Sequence, residues 1–340
     1  MCDPGIDHIG KTLVWHQGAL GDLILSLPAL YAIKTGGRAA HLHLISRTDI
    51  NNILIDNRLV DEVSSTENGI FAEFFVNGPL SPRAVEFLQK FTNAFIFMKN
   101  IDEVFAGNVR RHIPKCLFIP TRPEEGRVMH LSIAQVERLN RSGIIAGEMP
   151  RLEVGPFPSG NHRGRTIITV HPGSGGEKKC WPAGNFLELI KLLGEDRRLY
   201  FYFLLGPAEG SGLYEISERF FSGNKIDVSI VAGRPVSYIA SLLKSSSLHV
   251  GNDSGITHLA SALGTPTIAV FGPTDPRIWG PLGSHTQIIT SGYPCSPCSE
   301  EVRRRCSDVR CLGAVKVSDI VRAADKFAAA LIYDSRGKMV

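Results

Sequence analysis

Short apolar runs alternate with amphipathic stretches along most of the chain. Runs of four to six residues rich in Val, Ile, Leu and Phe are typical of buried parallel strands, whereas apolar residues at helical spacing occupy the stretches between them. The pattern predicts strands at residues 12–16, 41–46, 60–64, 94–98, 116–119, 166–171, 200–205, 228–231, 247–250, 267–271 and 286–290. Alternation of this kind is typical of βαβ units, so the sequence predicts an α/β protein built on parallel sheets.

The helical and irregular stretches predict two domains. Clear helical periodicity covers residues 22–34, 131–141 and 317–332, whereas residues 154–165 are rich in Pro and Gly and lack any period. A chain of 340 residues, 43% of them hydrophobic, is long enough for two ordinary cores. We therefore expect a first domain at residues 1–155, a second at 166–316 and a final helix at 317–335.

Composition and charge narrow the class of protein. The formal net charge of +4 is too small for a protein built to bind nucleic acid. No apolar run approaches the roughly 20 residues that a membrane-spanning helix needs. The first residues carry neither a basic start nor an apolar signal segment. We therefore expect a soluble, cytoplasmic protein.

A polar turn between two apolar strands, at residues 248–273, is the strongest candidate site. It places Asp253, Ser254 and Gly255 at the start of an Ala-rich helix, with His258 one turn further on. Free N–H groups and the positive end of the helix dipole favour a phosphate there. The alternative is a helix cap at Asp253 and a packed His258. A hydrolase is disfavoured, because GNDSG does not match G-x-S-x-G.

Two further strand-to-helix turns carry candidate residues. Gly18 and Gly21 bracket a tight turn, and Asp22 begins the following helix either as a cap or as a general base. In the segment 171–182, glycines permit close approach to a phosphate, and Ser174, Lys178 and Lys179 supply polar contacts and charge. A plain flexible loop is the alternative. The order of its residues does not match a Walker A motif.

Four cysteines cluster near the end of the second domain, in a segment that we call the cysteine loop (residues 294–312). Cys295, Cys298, Cys306 and Cys311 follow the spacing C-x2-C-x7-C-x4-C. Their number suits a structural four-thiolate zinc site, although the intervals differ from those of standard zinc ribbons. Reduced thiols, an iron–sulfur centre and disulfides remain open as alternatives.

The three turns together resemble glycosyltransferase family 9, the ADP-heptose:lipopolysaccharide heptosyltransferases. The residues that carry the resemblance are GALGDLILSLPAL (18–30), HPGSGGEKKCWP (171–182), LLGPAE (204–209) and GNDSGITHLASALGTPTIAVFGPTDP (251–276). The resemblance implies a GT-B fold, in which two Rossmann-like domains face a cleft and the final helix returns to the first domain. It also implies inverting, metal-independent transfer of a heptose from a nucleotide-diphosphate donor, ADP-heptose, to a lipopolysaccharide core acceptor. Such an enzyme would work at the inner face of the inner membrane.

The same resemblance implies roles for single residues. Asp22 matches the catalytic base. The donor contacts are Ser174 and Lys179 to phosphate, Glu209 to ribose, and Asp253, Ser254, Gly255 and His258 as the donor cradle. For the acceptor we expect Gly18 and Gly21 in the loop, with Arg110, Arg111 and Lys115 as phosphate contacts; solvated surface charge is the alternative for these three.

Two departures from the family leave the specificity open. Gly173 and Ser174 stand where some members have a Thr-Thr pair, which leaves the donor sugar open, and the cysteine loop is absent from the best-known members. No cofactor is expected for catalysis, and zinc only as a structural ion. A nucleotide-sugar epimerase of the same fold and a non-catalytic sugar- or lipid-binding protein remain as alternatives.

Overall fold

The computed structural model describes residues 10–332 apart from 38, 48, 123, 125, 146, 150, 158–161, 163, 197, 207 and 208. The chain divides into two compact units, Met1–Glu153 and Val154–Val340, which we call the first and second domains. The predicted linker at residues 154–165 begins at this division, with 158–161 and 163 outside the described residues.

The first domain is built on a five-stranded parallel sheet with strand order β3-β2-β1-β4-β5. Its strands are β1 (Lys11–His16), β2 (His41–Ser46), β3 (Glu62–Ser65), β4 (Asn93–Met98) and β5 (Lys115–Pro120). The helices are α1 (Leu20–Leu25), α2 (Leu27–Thr35), α3 (Asn51–Asp56), α4 (Pro82–Leu88), α5 (Glu103–His112) and α6 (Leu131–Asn140), with a 3₁₀ segment at Gly69–Phe75. Trp15 lies in its aromatic core, with ring centroids 5.0 Å from Phe105 and 5.6 Å from Phe71.

The second domain is built on a six-stranded parallel sheet with strand order β11-β10-β9-β6-β7-β8. Its strands are β6 (Thr166–His171), β7 (Leu199–Leu205), β8 (Val228–Ala232), β9 (Leu248–Asn252), β10 (Thr267–Val270) and β11 (Thr286–Ile289). The helices are α7 (Ala183–Leu193), α8 (Gly210–Asn224), α9 (Val236–Lys244), α10 (Gly255–Ala262), α11 (Pro276–Trp279), α12 (Glu300–Arg305), α13 (Arg310–Gly313) and α14 (Val317–Ile332), with a 3₁₀ turn at Glu177–Lys179. Numbered within the domain, the strand order is the 3-2-1-4-5-6 order of a Rossmann sheet.

The strands agree closely with the sequence pattern, and one predicted helix is wrong. All eleven predicted strands overlap observed ones, with ends that differ by at most two residues. The single helix predicted at 22–34 is two helices, because Pro28 at the start of α2 cannot donate to the carbonyl of Ile24 and clashes with it. Ser26 lies between the two helices as the C-cap of α1.

The final helix packs on the second domain over the part that is described. Ile320 and Ala323 of α14 are buried in the core that surrounds Trp181 and Phe186, and α14 contacts α7. Residues 333–335 lie outside the described residues, so the return of this helix to the first domain stays a prediction. Among the described residues, no helix is both long and apolar enough to cross a membrane.

Candidate functional site

The crevice between β6 and β9 is where the second sheet reverses its strand order. In open α/β sheets, ligands bind at the carboxyl ends of the strands at such a point. Asn252, the last residue of β9, is fully buried there. Its Nδ2 donates to Pro172 O at 2.6 Å, and its Oδ1 accepts from Trp181 N at 2.9 Å. Asn252 thus holds both ends of the glycine-rich loop (residues 172–181) at this crevice.

Asp253 is the centre of a polar cluster at the mouth of the crevice. Its Oδ2 lies 2.7 Å from Lys179 Nζ and accepts from Thr274 Oγ1 at 2.7 Å, and its Oδ1 lies 3.6 Å from His258 Nε2. Ser174 Oγ donates to Asp253 O at 2.6 Å. The structure therefore brings together four residues that the sequence placed in the donor site.

Asp253 remains ionised despite its burial. Its side chain is 6% exposed. Burial opposes ionisation, but the polar contact with His258 and the charge of Lys179 outweigh it and hold the pKa of Asp253 below its ordinary value. The carboxylate and Lys179 thus form a polarised pair at the pocket, and an incoming anion would compete with Asp253 for the ammonium group.

The helix α10 is capped by Ser254, not by Asp253 as the alternative interpretation proposed. Ser254 Oγ accepts from Thr257 N at 3.3 Å and lies 3.2 Å from His171 Nδ1. Gly255 is the first residue of the helix, so its N–H is among those without an intrahelical acceptor. The N-terminus of α10 therefore faces the crevice with the polarity that anions prefer.

Two buried histidines lie behind this cluster. Burial lowers the pKa of His171 to about 4, and burial together with the charge of His171 lowers the pKa of His249 to about 3. Both rings are therefore neutral at pH 7 and act as hydrogen-bonding groups. Neither histidine was predicted from the sequence as a site residue, although polar residues on apolar strands that end at the crevice are a signal for them.

Glu209 lies over the glycine-rich loop. Its Oε2 accepts from Gly206 N, and its Oε1 lies 3.8 Å from His171 Nε2. A Cβ at Gly173 would collide with Glu209 Oε1, so a larger residue there would displace the Glu209 carboxylate. Glu209, Gly173 and Ser174 line one cavity of about 1040 Å³. Pro207 and Ala208 of the LLGPAE motif lie outside the described residues.

The turn that carries Asp22 has the geometry of a helix cap. Asp22 Oδ2 accepts from Ala19 N at 3.2 Å, at the start of α1. A Cβ at Gly18 would lie 2.5 Å from Asp22 Cβ, so the turn needs glycine there. The hydrogen bond from Ala19 N positions the carboxylate of Asp22 through Oδ2, and Oδ1 takes no part in it.

His16, which was not predicted from the sequence as a site residue, supports this turn from inside the first domain. Gly18 N donates to His16 Nδ1 at 3.2 Å, His16 Nε2 lies 3.1 Å from Ser26 Oγ, and Ser26 Oγ donates to Asp22 O at 2.9 Å. Burial lowers the pKa of His16 to about 4, so the ring is neutral. With Nδ1 as acceptor, the tautomer protonated at Nε2 completes the chain of hydrogen bonds.

The predicted basic contacts to the acceptor lie away from Asp22. Arg110 is near the C-terminal end of α5, with its guanidinium 4.6 Å from the ring centroid of Phe118, and Arg111 follows it. Lys115 starts β5, whereas the Asp22 turn follows the carboxyl end of the parallel strand β1. The structure therefore places these three basic residues at the amino-terminal ends of the strands of the first sheet. It does not bring them to Asp22, which follows the carboxyl end of β1.

The four cysteines of the cysteine loop lie around one cavity of about 330 Å³. Burial raises the pKa of the Cys298 and Cys311 thiols, so these two favour the protonated form. Across the described part of the chain, no group of three or more His, Cys, Asp or Glu side chains is arranged to hold a metal ion. The thiols are gathered but do not form a ligand set.

Comparison with known proteins agrees with the resemblance that the motifs predict. Residues 150–306 match the family described as "Glycosyltransferase family 9 (heptosyltransferase)". Lipopolysaccharide heptosyltransferase 1 of Pseudomonas aeruginosa is 40% identical over 60 residues, which are 18% of this chain and 17% of that protein. Lipopolysaccharide heptosyltransferase 3 of Escherichia coli is 26% identical over 166 residues, or 48% of this chain and 47% of that protein. The chain thus spans less than half the length of these curated relatives.

Solved structures are similar over nearly the whole chain. A family 9 glycosyltransferase from Veillonella parvula has a TM-score of 0.72 at 16% identity, covering 95% of this chain and 98% of its own. Escherichia coli heptosyltransferase WaaC with ADP has a TM-score of 0.66 at 17% identity, covering 93% and 99%. The iron-containing dodecameric glycosyltransferase TibC of enterotoxigenic Escherichia coli has a TM-score of 0.59 at 13% identity, covering 95% and 77%.

These likenesses show the fold of the protein and the family to which it is similar. The fold is that of the GT-B glycosyltransferases, with two Rossmann-like parallel-sheet domains, as the sequence predicted. The predicted resemblance to glycosyltransferase family 9, the heptosyltransferases, is confirmed.

Proposed function

We propose that this chain is an inverting glycosyltransferase that moves a heptose, or a related sugar, from a nucleotide-diphosphate donor to a lipopolysaccharide core acceptor. The observation that carries the proposal is the cluster of Ser174, Lys179, Asp253 and His258 at the switch point of the second sheet, beside the N-terminus of α10. A cation and free N–H groups at one crevice suit a diphosphate. The structural neighbour WaaC, solved with ADP, supports ADP-heptose as the donor.

In this proposal the second domain stabilises the leaving group. When the bond between the anomeric carbon and the diphosphate breaks, negative charge develops on the nucleotide. Lys179 and the N-terminus of α10 would stabilise that charge in a partly dehydrated crevice. These groups supply positive charge from the protein itself, so the proposed transfer uses no metal cofactor.

The first domain would supply the base. Asp22 takes the proton from the attacking acceptor hydroxyl, and direct displacement at the anomeric carbon inverts its configuration. The cap contact with Ala19 holds the carboxylate in place, and the neutral His16 supports the turn beneath it. Gly18 and Gly21 would keep the loop narrow enough for an acceptor sugar to approach. The acceptor is a lipid, so peripheral contact with the inner face of the inner membrane belongs to the same proposal.

Nucleotide binding and transfer are tested separately. The full chain is screened with ADP, UDP and GDP by thermal shift and calorimetry, and we expect ADP to bind tightest. It is then incubated with ADP-heptose and heptose-deficient lipopolysaccharide, and we expect release of ADP with growth of the acceptor. Isomerised sugar from donor alone would instead identify an epimerase, and the absence of nucleotide binding would identify a non-catalytic protein.

For the cysteine loop we propose a structural four-thiolate zinc site, separate from the chemistry. Its support is that Cys295, Cys298, Cys306 and Cys311 surround one cavity, but the thiols must move from their present arrangement to bind an ion. Metal binding coupled to loop ordering would stabilise the second domain.

Elemental analysis of protein purified without chelator should find about one zinc per chain. Chelation should lower the melting temperature before it lowers activity. Iron in place of zinc, as in TibC by its description, would change the metal assigned, and metal-free protein with four titratable thiols would overturn the site.

A further inference from the structure

The cysteine loop borders the 1040 Å³ cavity that is lined by Ser174 and Glu209, two of the residues that we assign to the donor. One side of the 1040 Å³ cavity is formed by the glycine-rich loop and Glu209, and another side by Arg305, Cys306, Ser307 and Val309. The family match ends at residue 306, so Ser307 and Val309 of this second side lie beyond the matched region. Cys306 lines both this cavity and the 330 Å³ cavity that the four cysteines share, whereas Cys295 lines only the latter.

Lys178 connects the glycine-rich loop to the cysteine loop. Its Nζ donates to the carbonyl oxygens of Arg303 at 3.2 Å and Arg304 at 2.7 Å. Both carbonyls lie in the last turn of α12, where a cation is favoured by the helix dipole, and Arg303 O also accepts from Cys306 N at 3.3 Å. The neighbouring Lys179 instead pairs with Asp253. Of the two adjacent lysines, Lys178 lines the cavity and contacts α12, whereas Lys179 belongs to the polar cluster around Asp253.

A second anchor ties the cysteine loop to the segment after β10. Cys298 N donates to Pro273 O at 3.0 Å, and Ser296 Oγ donates to Gly272 O. The next residue, Thr274, donates to Asp253 Oδ2 at 2.7 Å. The loop is thus attached to the segments that follow β6 and β10, which carry Lys179 and Thr274 of the polar cluster. A shift of the loop would reach Asp253 through Thr274.

We propose that residues 305–309 of the cysteine loop form a second wall of the nucleotide-sugar pocket, and that Lys178 is the positioning residue that holds this wall in place. The inference rests on the proposed function, because it takes the cavity to be the donor pocket. By linkage, a bound nucleotide diphosphate restricts access to Cys306, and covalent modification of Cys306 weakens nucleotide binding.

Alkylation of the native cysteines tests the wall directly. The full chain, reduced and freed of bound metal with a chelator, is treated with N-ethylmaleimide, whose double bond adds the thiol. Each cysteine is followed by peptide mass spectrometry with and without saturating ADP. We expect ADP to slow labelling of Cys306 by about fivefold or more, the lower end of common coupling between two ligands. Labelling of the exposed Cys295 should stay unchanged, which makes it the internal control.

The outcomes separate this inference from the proposed function. Binding of ADP by calorimetry without protection of Cys306, or with equal protection of Cys295, overturns the wall and leaves the donor site intact. If none of ADP, UDP and GDP binds, the proposed function fails and the wall falls with it.

Variants of Lys178 test its positioning role. Lys178→Met should raise the KM for the donor roughly five- to tenfold with little change in kcat, and should speed labelling of Cys306 in the absence of nucleotide. Lys178→Arg should restore both values, because it keeps the cation. The matched control is Lys191→Met. Lys191 is exposed on α7, with its Nζ 3.9 Å from Glu188 Oε2, and we expect no change in the KM for the donor or in the labelling of Cys306.

If Lys178→Met weakens ADP binding but leaves the labelling of Cys306 unchanged in the ligand-free protein, Lys178 contacts phosphate and the positioning role is wrong. Circular dichroism verifies folding of each variant.

Discussion

At the scale of single residues, Asp22 combines a structural contact with a proposed chemical role. Asp22→Asn keeps an acceptor for the Ala19 N–H but removes the base, whereas Asp22→Ala removes both. We expect Asp22→Asn to lower kcat by ~10²- to 10⁴-fold, the usual range for a general base, with donor affinity nearly unchanged. Steady-state kinetics and ADP calorimetry measure the two effects. Near-normal turnover in Asp22→Asn together with a lower melting temperature in Asp22→Ala would show that Asp22 is only a cap.

Lys179 is the residue whose charge is assigned to the diphosphate. Because hydrogen bonds to charged groups contribute about 1.5–3 kcal/mol, Lys179→Ala should weaken ADP binding roughly ten- to hundredfold. Adenosine lacks the phosphates and should bind the variant and the parent chain equally well. Calorimetry with both ligands measures the difference. Equal affinity of the two proteins for ADP would remove Lys179 from the site.

At the scale of the elements, the cysteine loop depends on close packing against the end of β10. A Cβ at Gly272 would collide with the side chain of Leu312, a buried residue of α13. We expect Gly272→Ala to cost about 1–3 kcal/mol of stability, the usual effect of overpacking. Gly313→Ala is the matched control, since a Cβ there meets nothing within 4 Å and alanine suits a helix. Urea unfolding compares the two, and equal midpoints would contradict the packing argument.

At the scale of the whole molecule, buried histidines in both domains make stability depend on pH. The pKa values of His16 and His171 fall to about 4, and that of His249 to about 3, from an ordinary 6.5, chiefly because the rings are buried. Between pH 6.5 and about 4 the unfolded chain binds protons that the folded chain excludes. Each histidine therefore costs up to ~1.4 kcal/mol of stability for every pH unit of acidification in this window.

Asp253 acts in a lower window. Its pKa is held below the ordinary value, so the stability it contributes is present at neutral pH and is lost only as the pH falls below that value. We therefore expect the melting temperature to fall progressively from pH 6.5 downwards, before carboxylates begin to titrate. Calorimetric scans in buffers of constant ionic strength check this, and a constant melting temperature down to pH 4.5 would contradict it.

The sequence by itself determined the strands, the two-domain division and the turn at Asp253–Gly255, because each is written in local periodicity and in turn residues close together in the chain. It also predicted that the candidate donor residues lie close together, since the loops that follow parallel strands all lie at the carboxyl ends of those strands.

Only the tertiary structure decided which partner each side chain has. Lys178 and Lys179 are adjacent in sequence, yet they have different partners. Lys178 contacts carbonyls of α12 that lie 125 and 126 positions further along the chain, and Lys179 contacts Asp253, 74 positions further along. Arg110 and Lys115 lie at the amino-terminal ends of the strands, because each helix returns the chain to that end before the next parallel strand begins. The histidine pKa values and the wall formed by the cysteine loop depend on burial by distant segments, which no local pattern records.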